Sequence, residues 1–464
     1  MHKIRFKLTT KEAIKVGIAV ATTILVAFWI GWDKSYWSAI TVFIVAANET
    51  YSHSIRKGRN RLLGTLLGVC VATFLLFQFP QDKFLFTLFY TSFLAFSVFM
   101  SVHKRYGYAF RTAFLVCTVI ATVGGFNPET TFALSILRIQ ETVLGVVVYS
   151  AVFRFIWPKK TEDIFFEEVA LSAQHSRKKL HLITHEQSWE ATPEFLKDLE
   201  VETTGQITRL NKLNEILALP LTDSTRLAHE KSYWRLVIKA LLQFEMLMTL
   251  KLAGKEIDQS VILNGAKILS ESLYSAKGSH DELMQWCDQS EVNYPTNKAP
   301  ISAFEVPLKQ RLIFTSKAVS IFLTSFAMWI YLPVPGSYMM PMVAAIFAVV
   351  LSPLPNKAIK HTAVGSAIWG FLFIAQYALI MPLLTQAWQL AILYFINGVV
   401  IWKVSEAPEM QAQKALAGNL SVVLCMGALQ LTPSYEITTP MMMLILMFIT
   451  LGIIHFYNRL YKPF

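Results

Sequence analysis

Residues 12–31 read EAIKVGIAVATTILVAFWIG, and after Lys15 the run contains no charged residue. A helix needs about 20 predominantly apolar residues to cross the hydrocarbon core of a bilayer, and this stretch supplies them. Lys3, Arg5, Lys7 and Lys11 precede it, which gives the outline of a secretory signal. The run closes on Phe28-Trp29-Ile30-Gly31-Trp32, however, with no small-residue cleavage site. It therefore reads as an uncleaved first transmembrane helix.

Working outward, the same pattern recurs. Five more runs follow at about 36–51, 61–79, 84–102, 107–124 and 134–156, and six more at about 312–332, 338–353, 361–381, 386–403, 412–431 and 439–457. The second and eighth are short or interrupted. Of the chain's 464 residues, 54% are hydrophobic and only 16% charged, against roughly 25% charged in soluble domains; mean hydropathy is +0.44. The net charge of +11 is uneven: residues 159–307 hold 17 basic and 22 acidic residues, a net −5, which leaves +16 on the apolar parts. The basic balance thus belongs to membrane segments and gives no sign of a nucleic-acid partner. The sequence predicts an all-α integral membrane protein in three parts: a six-helix transmembrane bundle (1–158), a cytoplasmic helical domain (159–308) and a second six-helix bundle (309–464). Cys70, Cys117, Cys287 and Cys425 share no CxxC spacing, so neither a disulfide framework nor a zinc site is expected.

Lys and Arg orient the spans. Arg56–Arg61, Lys104, Arg105, Arg111, Arg154, Lys159, Lys160, Lys309, Arg311, Lys357, Lys360, Lys403, Lys414 and Arg459 all fall on one side of a twelve-span count, and only Lys34 and Lys83 on the other. Both termini and the insert are expected in the cytoplasm. Laying the second apolar block on the first at an offset of 302 aligns Lys15 with Lys317 and Tyr36 with Tyr338. The order of hydropathy and loop charge agrees throughout, as in transporters built from parallel repeats whose pathway lies at the repeat interface. The insert reads as helices at about 161–186, 191–219, 224–253 and 256–287. Within it, Arg235, Lys239 and Glu245 interrupt the apolar stretch Trp234–Leu252. Each charge at a helix centre costs about 2.5–3.5 kcal/mol on insertion scales, so this stretch is expected to be the buried helix of a soluble bundle.

No GxxxxGK[ST], HExxH or GxSxG pattern occurs, and no metal-spaced cluster or cofactor motif. The missing phosphate cradle argues against an ATP-driven pump, and no enzyme chemistry is expected. Ionisable residues inside spans are functional candidates by default, and Arg138 and Glu141 lead them. Three residues apart, they share one helix face. A buried Arg can hold a carboxylate in a bidentate fork. Burial favours the protonated form of a carboxyl group while a neighbouring guanidinium favours the ionised one, so such a Glu can exchange a proton. The alternative is a self-satisfied ion pair that locks the sixth span to its neighbours. The aligned positions in the second block are Pro440 and Met443, so the two blocks are chemically unequal.

Asn48 and Glu49 close the second span, where Glu49 reads either as a titratable carboxylate or as an interfacial partner for the arginines at 56–61. Tyr36 and Trp37 read as interface-belt aromatics or as a stacking surface for an aromatic substrate. Gly64 and Gly68 form a GxxxG face suited to close helix packing, and Gly145 continues the series on the sixth span. Lys317 lies inside a span and can line the route.

The run Arg61-Leu-Leu-Gly64-Thr65-Leu-Leu-Gly68 resembles the R-x-x-G-T-x-x-G signature of the fusaric acid resistance and aromatic acid exporter family, as do Arg138-x-x-Glu141-x-x-x-Gly145 and the Ile156-Trp157-Pro158 that ends the sixth span. The second block matches in hydropathy and position, with His361 where an Arg is expected, and the insert is shorter than in longer members. The resemblance implies an exporter of aromatic or other organic carboxylic acids in a bacterial inner membrane, linked to protons, with a periplasmic adaptor in some members. It also brings in the malate-type anion channels of plants, which are homodimers. An anion channel and a membrane-anchored assembly module without transport are the competing readings. The expected partners are a small organic anion and membrane lipid.

The orientation is testable with the native cysteines replaced by serine. A cysteine at Lys34 is expected to react with a membrane-impermeant thiol reagent on intact cells, and one at Lys104 only after permeabilisation. The opposite pattern overturns the assignment.

Overall fold

A computed structural model of the chain describes residues 8–461 apart from 48–50, 126, 158–160, 186–192, 219–223, 275–279, 291–303, 305, 334–335, 337 and 408–409. The first apolar block forms α1 (Leu8–Ile30), α2 (Tyr36–Ala46), α3 (Tyr51–Gln78), α4 (Lys83–Met100), α5 (Gly107–Val119) and α6 (Pro128–Phe155). The polar segment forms α7 (Thr161–His185), α8 (Pro193–Ala218), α9 (Thr225–His229), α10 (Lys231–Leu252), α11 (Gln259–Tyr274) and α12 (His280–Gln289). The second apolar block forms α13 (Leu308–Tyr331), α14 (Met339–Leu351), α15 (Asn356–Leu379), α16 (Ala387–Val404), α17 (Gln411–Val423) and α18 (Thr438–Leu460). Among the described residues the only β pairings are two isolated bridges, Lys34–Gln430 and His103–Phe304. The chain is an all-α integral membrane protein.

Nine helices among the described residues are long and apolar enough to cross a membrane. Three of the twelve expected crossings fall short: α2 has 11 residues, and α14 and α17 have 13 each. At 1.5 Å per residue these reach about 17–20 Å, against about 30 Å of hydrocarbon. After α17 the chain breaks and resumes as a single 3₁₀ turn at Met426–Leu429. A helix can end at membrane depth only where protein or a polar cavity surrounds it. That condition is met here: nine of the 11 residues of α2 and nine of the 13 of α14 are buried.

The chain divides into two compact units. One comprises Met1–Glu49, Ser54–Trp157 and Ser302–Phe464, so both apolar blocks share it; the other comprises Thr50–His53 and Pro158–Ile301. The sequence suggested two separate bundles, but the blocks interlock. The contacts are reciprocal: α1 packs on α16 and α13 on α4, α2 on α17 and α14 on α5, and the first two helices of each block also pack on its last. One hydrophobic core results, with Val20, Phe43, Phe114, Phe322 and Tyr394 among its members. The α1–α16 crossing is close because two glycines meet there. A Cβ on Gly17 would lie 2.7 Å from the Phe395 carbonyl oxygen, and one on Gly398 3.0 Å from Gly17 Cα.

The second unit is built on α10, which packs against α7, α8, α11 and α12. Arg235 and Lys239 are exposed while Glu245 is fully buried, so α10 presents its apolar face and one carboxylate to the core. Lys179 of α7 pairs with Glu245 and donates to Thr203 Oγ1 at 2.9 Å, and Ser176 Oγ donates to Glu245 Oε2 at 3.4 Å. The helix expected at about 256–287 is two helices, α11 and α12. They meet where Trp286 Nε1 donates to the Val261 carbonyl at 3.2 Å, over Gly265.

Removing one partner of a buried pair leaves an uncompensated charge, which costs about 3–5 kcal/mol, whereas replacing both with apolar groups is often neutral. Lys179→Met is therefore expected to destabilise the chain by about that amount, and Lys179→Met with Glu245→Leu to recover most of it. Urea denaturation of the three proteins checks this; equal losses in single and double variants would refute it.

Candidate functional site

The site grows from α6. Asn127 caps the helix, its Oδ1 accepting from Glu129 N at 3.0 Å and Thr130 N at 3.2 Å, and Pro128 takes the first turn. The sequence placed the start of this span near residue 134, with Arg138 close to its end. In the structure α6 begins at Pro128, so Arg138 lies ten residues, or about 15 Å, along it. The helix is polar inward and apolar outward. Thr131, Ser135, Arg138, Glu141 and Thr142 are buried, while Phe132, Ile136, Val143 and Val147 are exposed. Facing the polar stripe toward lipid would expose two charges to hydrocarbon, so protein must cover it.

What covers it is α2. Gly145 allows the approach: a Cβ there would lie 2.6 Å from the Ser38 carbonyl oxygen and 2.7 Å from Thr41 Cβ. The start of α2 is held inside the unit by Ser35, which is buried and whose Oγ donates to the Leu429 carbonyl at 3.0 Å, and by the Lys34–Gln430 bridge. The first-turn N–H groups of a helix have no intrahelical partner, and they carry partial positive charge. Glu141 lies at this end of α2, where its electrostatic neighbours are Arg138, the Trp37 backbone amide and Lys34.

Arg138 and Glu141 are 6% and 0% exposed. They share a face, as their spacing predicts, but do not close an ion pair. The Arg138 guanidinium carbon stands 3.2 Å from the centroid of the Trp37 ring, a cation–π contact worth about 2 kcal/mol or more when desolvated. Neither Glu141 oxygen closes a well-aligned hydrogen bond among the described residues, nor does Arg138 Nε. The self-satisfied pair is thus not what the structure holds. Tyr36 is buried and Trp37 lies under Arg138, so these two are not belt aromatics. Trp29, 86% exposed, fits that description.

The second sequence motif meets the same helix one turn further on. Arg61 Nε donates to Thr41 Oγ1 at 3.1 Å, and its Nη1 to Tyr108 Oη at 3.0 Å. Thr65 Oγ1 donates to the Arg61 carbonyl at 2.9 Å and lies 3.4 Å from Thr142 Oγ1, which donates to the Arg138 carbonyl at 2.8 Å. Gly64 and Gly68 press against α5, where added Cβ atoms would strike the Ala109 and Ala113 carbonyl oxygens. The structure therefore brings Tyr36, Trp37, Arg61, Arg138, Glu141 and Gly145 together around α2. Lys317 stands elsewhere, on α13 against α18. Asn48 and Glu49 lie outside the described residues. The sequence pointed to Thr65 only as part of the Arg61–Gly68 motif and gave no site role to Lys34, Thr41, Tyr108 or Thr142. Of these four, only Thr142 carried a signal, adjoining Glu141; the others join the site through packing alone.

The geometry places a guanidinium stacked on Trp37 beside a carboxylate whose oxygens close no well-aligned bond among the described residues, both buried inside a span. Such an arrangement can accept an organic anion on Arg138 and a proton on Glu141.

Comparison with known proteins agrees with a membrane transporter. The sequence profile described as the fusaric acid resistance protein family matches residues 11–249. An uncharacterized transporter of Escherichia coli, YdhK, is 25% identical over 209 residues, covering 44% of this chain and 30% of that protein. A UPF0421 protein of Oceanobacillus iheyensis is 24% identical over 170 residues, covering 36% of this chain and 46% of that one. An uncharacterized protein of Haemophilus influenzae is 26% identical over 149 residues, covering 32% and 20%. The chain thus spans less than half the length of each of these relatives. No solved structure matches it.

Gly145→Val is expected to force α2 and α6 apart and to destabilise the chain by about 1–3 kcal/mol, the usual cost of overpacking. A fall in Tm relative to wild type checks this, with Gly452→Val as the control because nothing lies near its added Cβ.

Proposed function

The chain belongs to the fusaric acid resistance protein family, whose members are membrane transporters, and from that premise we propose that it moves aromatic or other organic carboxylic acids outward, with proton coupling through Glu141. One observation carries the reading: Arg138 and Glu141 are buried at mid-length in a membrane-crossing helix, at the start of the short helix α2, without closing a bond to each other. Two groups costing about 2.5–3.5 kcal/mol each on insertion scales are hard to explain as scaffold. Support for the aromatic acid and for outward movement comes from the family's description as one of resistance to fusaric acid, itself an aromatic carboxylic acid. Cytoplasmic termini, an inner-membrane location, a homodimer and a periplasmic adaptor belong to the same proposal.

The sign of the coupling follows from electrostatics. With Glu141 ionised, its charge offsets that of Arg138 and the site is neutral. Protonating Glu141 leaves Arg138 uncompensated, which favours an incoming carboxylate. A bound carboxylate in turn repels the Glu141 charge and favours its protonation. Anion and proton therefore load together, so a coupled cycle carries both in one direction, and export follows the outward gradient of the acid itself rather than the inward proton gradient. The binding affinity for a carboxylate substrate rises as pH falls, and by linkage the bound anion raises the proton affinity of the site.

Equilibrium binding and liposome flux with a labelled aromatic carboxylate, such as benzoate, test the proposal. Wild type is expected to bind about tenfold more tightly for each favourable 1.4 kcal/mol that protonation adds. Glu141→Gln is expected to bind well at all pH values, and Arg138→Met to bind weakly at all of them. Flux that ignores both the pH gradient and Glu141→Gln would point to an anion channel instead. No flux in any condition would favour the assembly module.

A further inference from the structure

Lys15 and Lys317 occupy equivalent places in the two apolar blocks, at the offset of 302, yet they have different partners. Past its last turn α6 reaches Trp157 at φ 42, a left-handed conformation uncommon for a residue other than glycine. Buried Lys15 donates to the Trp157 carbonyl. Cations are at home beside helix C-termini, where carbonyls lack partners. In the second block α18 does not stop at that level but runs on to Leu460. Lys317 therefore meets a side chain: its Nζ donates to Asn458 Oδ1 at 2.6 Å, with the Phe314 ring 5.6 Å away.

That contact leaves donors in excess. Lys317 and Asn458 are 6% and 7% exposed. An ammonium carries three N–H donors, and Asn458 Oδ1 is the one acceptor it reaches among the described residues. Asn458 Nδ2 has no partner, and flipping the amide would set donor against donor. No counter-ion is at hand in the neighbouring helices, because α4, α13, α14 and α18 contain neither Asp nor Glu. A buried cation without an anion is costly.

A polar seam leads from this pair along α13 and α18. Tyr461 Oη lies 2.6 Å from Ser316 Oγ and 3.4 Å from Ser320 Oγ, and Tyr457 Oη lies 2.6 Å from Thr324 Oγ1. Ser316 is exposed, as are Lys309 and Arg459 at the same end of the two helices. Asn458 is two residues from the end of α18, the depth at which headgroup phosphates meet a crossing helix. Basic pockets between transmembrane helices bind such headgroups.

We propose that Lys317 and Asn458 form an oxyanion site, separate from Arg138 and Glu141, that takes the phosphate of an acidic phospholipid entering between α13 and α18. The missing acceptor is then supplied by the membrane: the phosphate accepts from Lys317 Nζ and Asn458 Nδ2 together. The first block differs: Lys15 has the Trp157 carbonyl and, three residues earlier on the same helix, the carboxylate of Glu12, whereas the helices around Lys317 carry none.

The test follows thermal unfolding of the purified full-length chain in a neutral detergent, titrated with phosphatidylglycerol, phosphatidylcholine or inorganic phosphate. Phosphatidylglycerol is expected to raise Tm by about 2 °C or more over phosphatidylcholine, and Lys317→Met to lose that increment. Asn458→Asp places a carboxylate beside Lys317 and is expected to raise Tm without lipid while abolishing the response, so a folded protein still reports. Equal phosphatidylglycerol increments in wild type and both variants, or none in wild type, overturn the site. A response to inorganic phosphate but not to phosphatidylglycerol overturns the lipid as its source.

Discussion

Hydrocarbon offers neither hydrogen bonds nor counter-charges, and the first unit is arranged around the consequences for one short helix. α2 begins inside protein, with free N–H groups and a buried Ser35 at its start. Such an end is tolerated only where something polar surrounds it. The something is the inward face of α6, whose Glu141 meets the positive end of α2 while Arg138 rests on the Trp37 ring. Each element supplies what the other lacks in lipid. α2 covers two charged groups, and the Glu141 carboxylate faces its positively charged first turn.

That mutual need explains the interlocking of the two blocks. A helix of 11 residues cannot be shielded by its sequence neighbours alone, so α17 of the other block packs beside it and the 3₁₀ turn that follows α17 lends the Leu429 carbonyl to Ser35. The reciprocal contacts of α14 with α5, and of α13 with α4, give the second short helix the same cover. Glycines at 17, 145 and 398 bring the backbones close enough for this to work. The chemistry, in contrast, is one-sided. Where the first block has Arg138 and Glu141, the second has Pro440 and Met443, so a common frame holds a single charged site.

Much of this was legible in the sequence, for definite reasons. Uncharged runs such as Val16–Gly31 are dictated by bilayer thickness, and Arg235, Lys239 and Glu245 inside the apolar stretch of α10 marked it as a soluble-domain helix. Arg138, Glu141, Arg61 and the glycines stood out because charge and small residues are each uncommon in a span unless the fold uses them. Other features left no trace in local pattern. Tyr36 and Trp37 have the composition of a membrane-interface belt, and only the position of α2 turns them inward. Thr41 and Tyr108 become partners of Arg61 through packing between helices far apart in sequence. The self-satisfied ion pair that the three-residue spacing of Arg138 and Glu141 left open as an alternative also failed to form. Spacing sets which face two residues share, whereas the nearby Trp37 ring and the start of α2 decide what each one touches.

The amino-acid sequence alone determined that this is a helical membrane protein with a polar helical insert, that most of its apolar runs are long enough to cross, and which charged residues cannot face lipid. Those properties are sums over local stretches, and bilayer thickness and desolvation act on each stretch separately. Only the tertiary structure decided that the two apolar blocks share one core, that α2 ends against α6, and that Arg138 stacks on Trp37 while Glu141 keeps both oxygens free of well-aligned bonds. It also decided that Lys15 finds a carbonyl where Lys317 finds an amide. These outcomes depend on which distant segments meet, and that is settled by packing and by the need to satisfy buried polar groups across the whole unit.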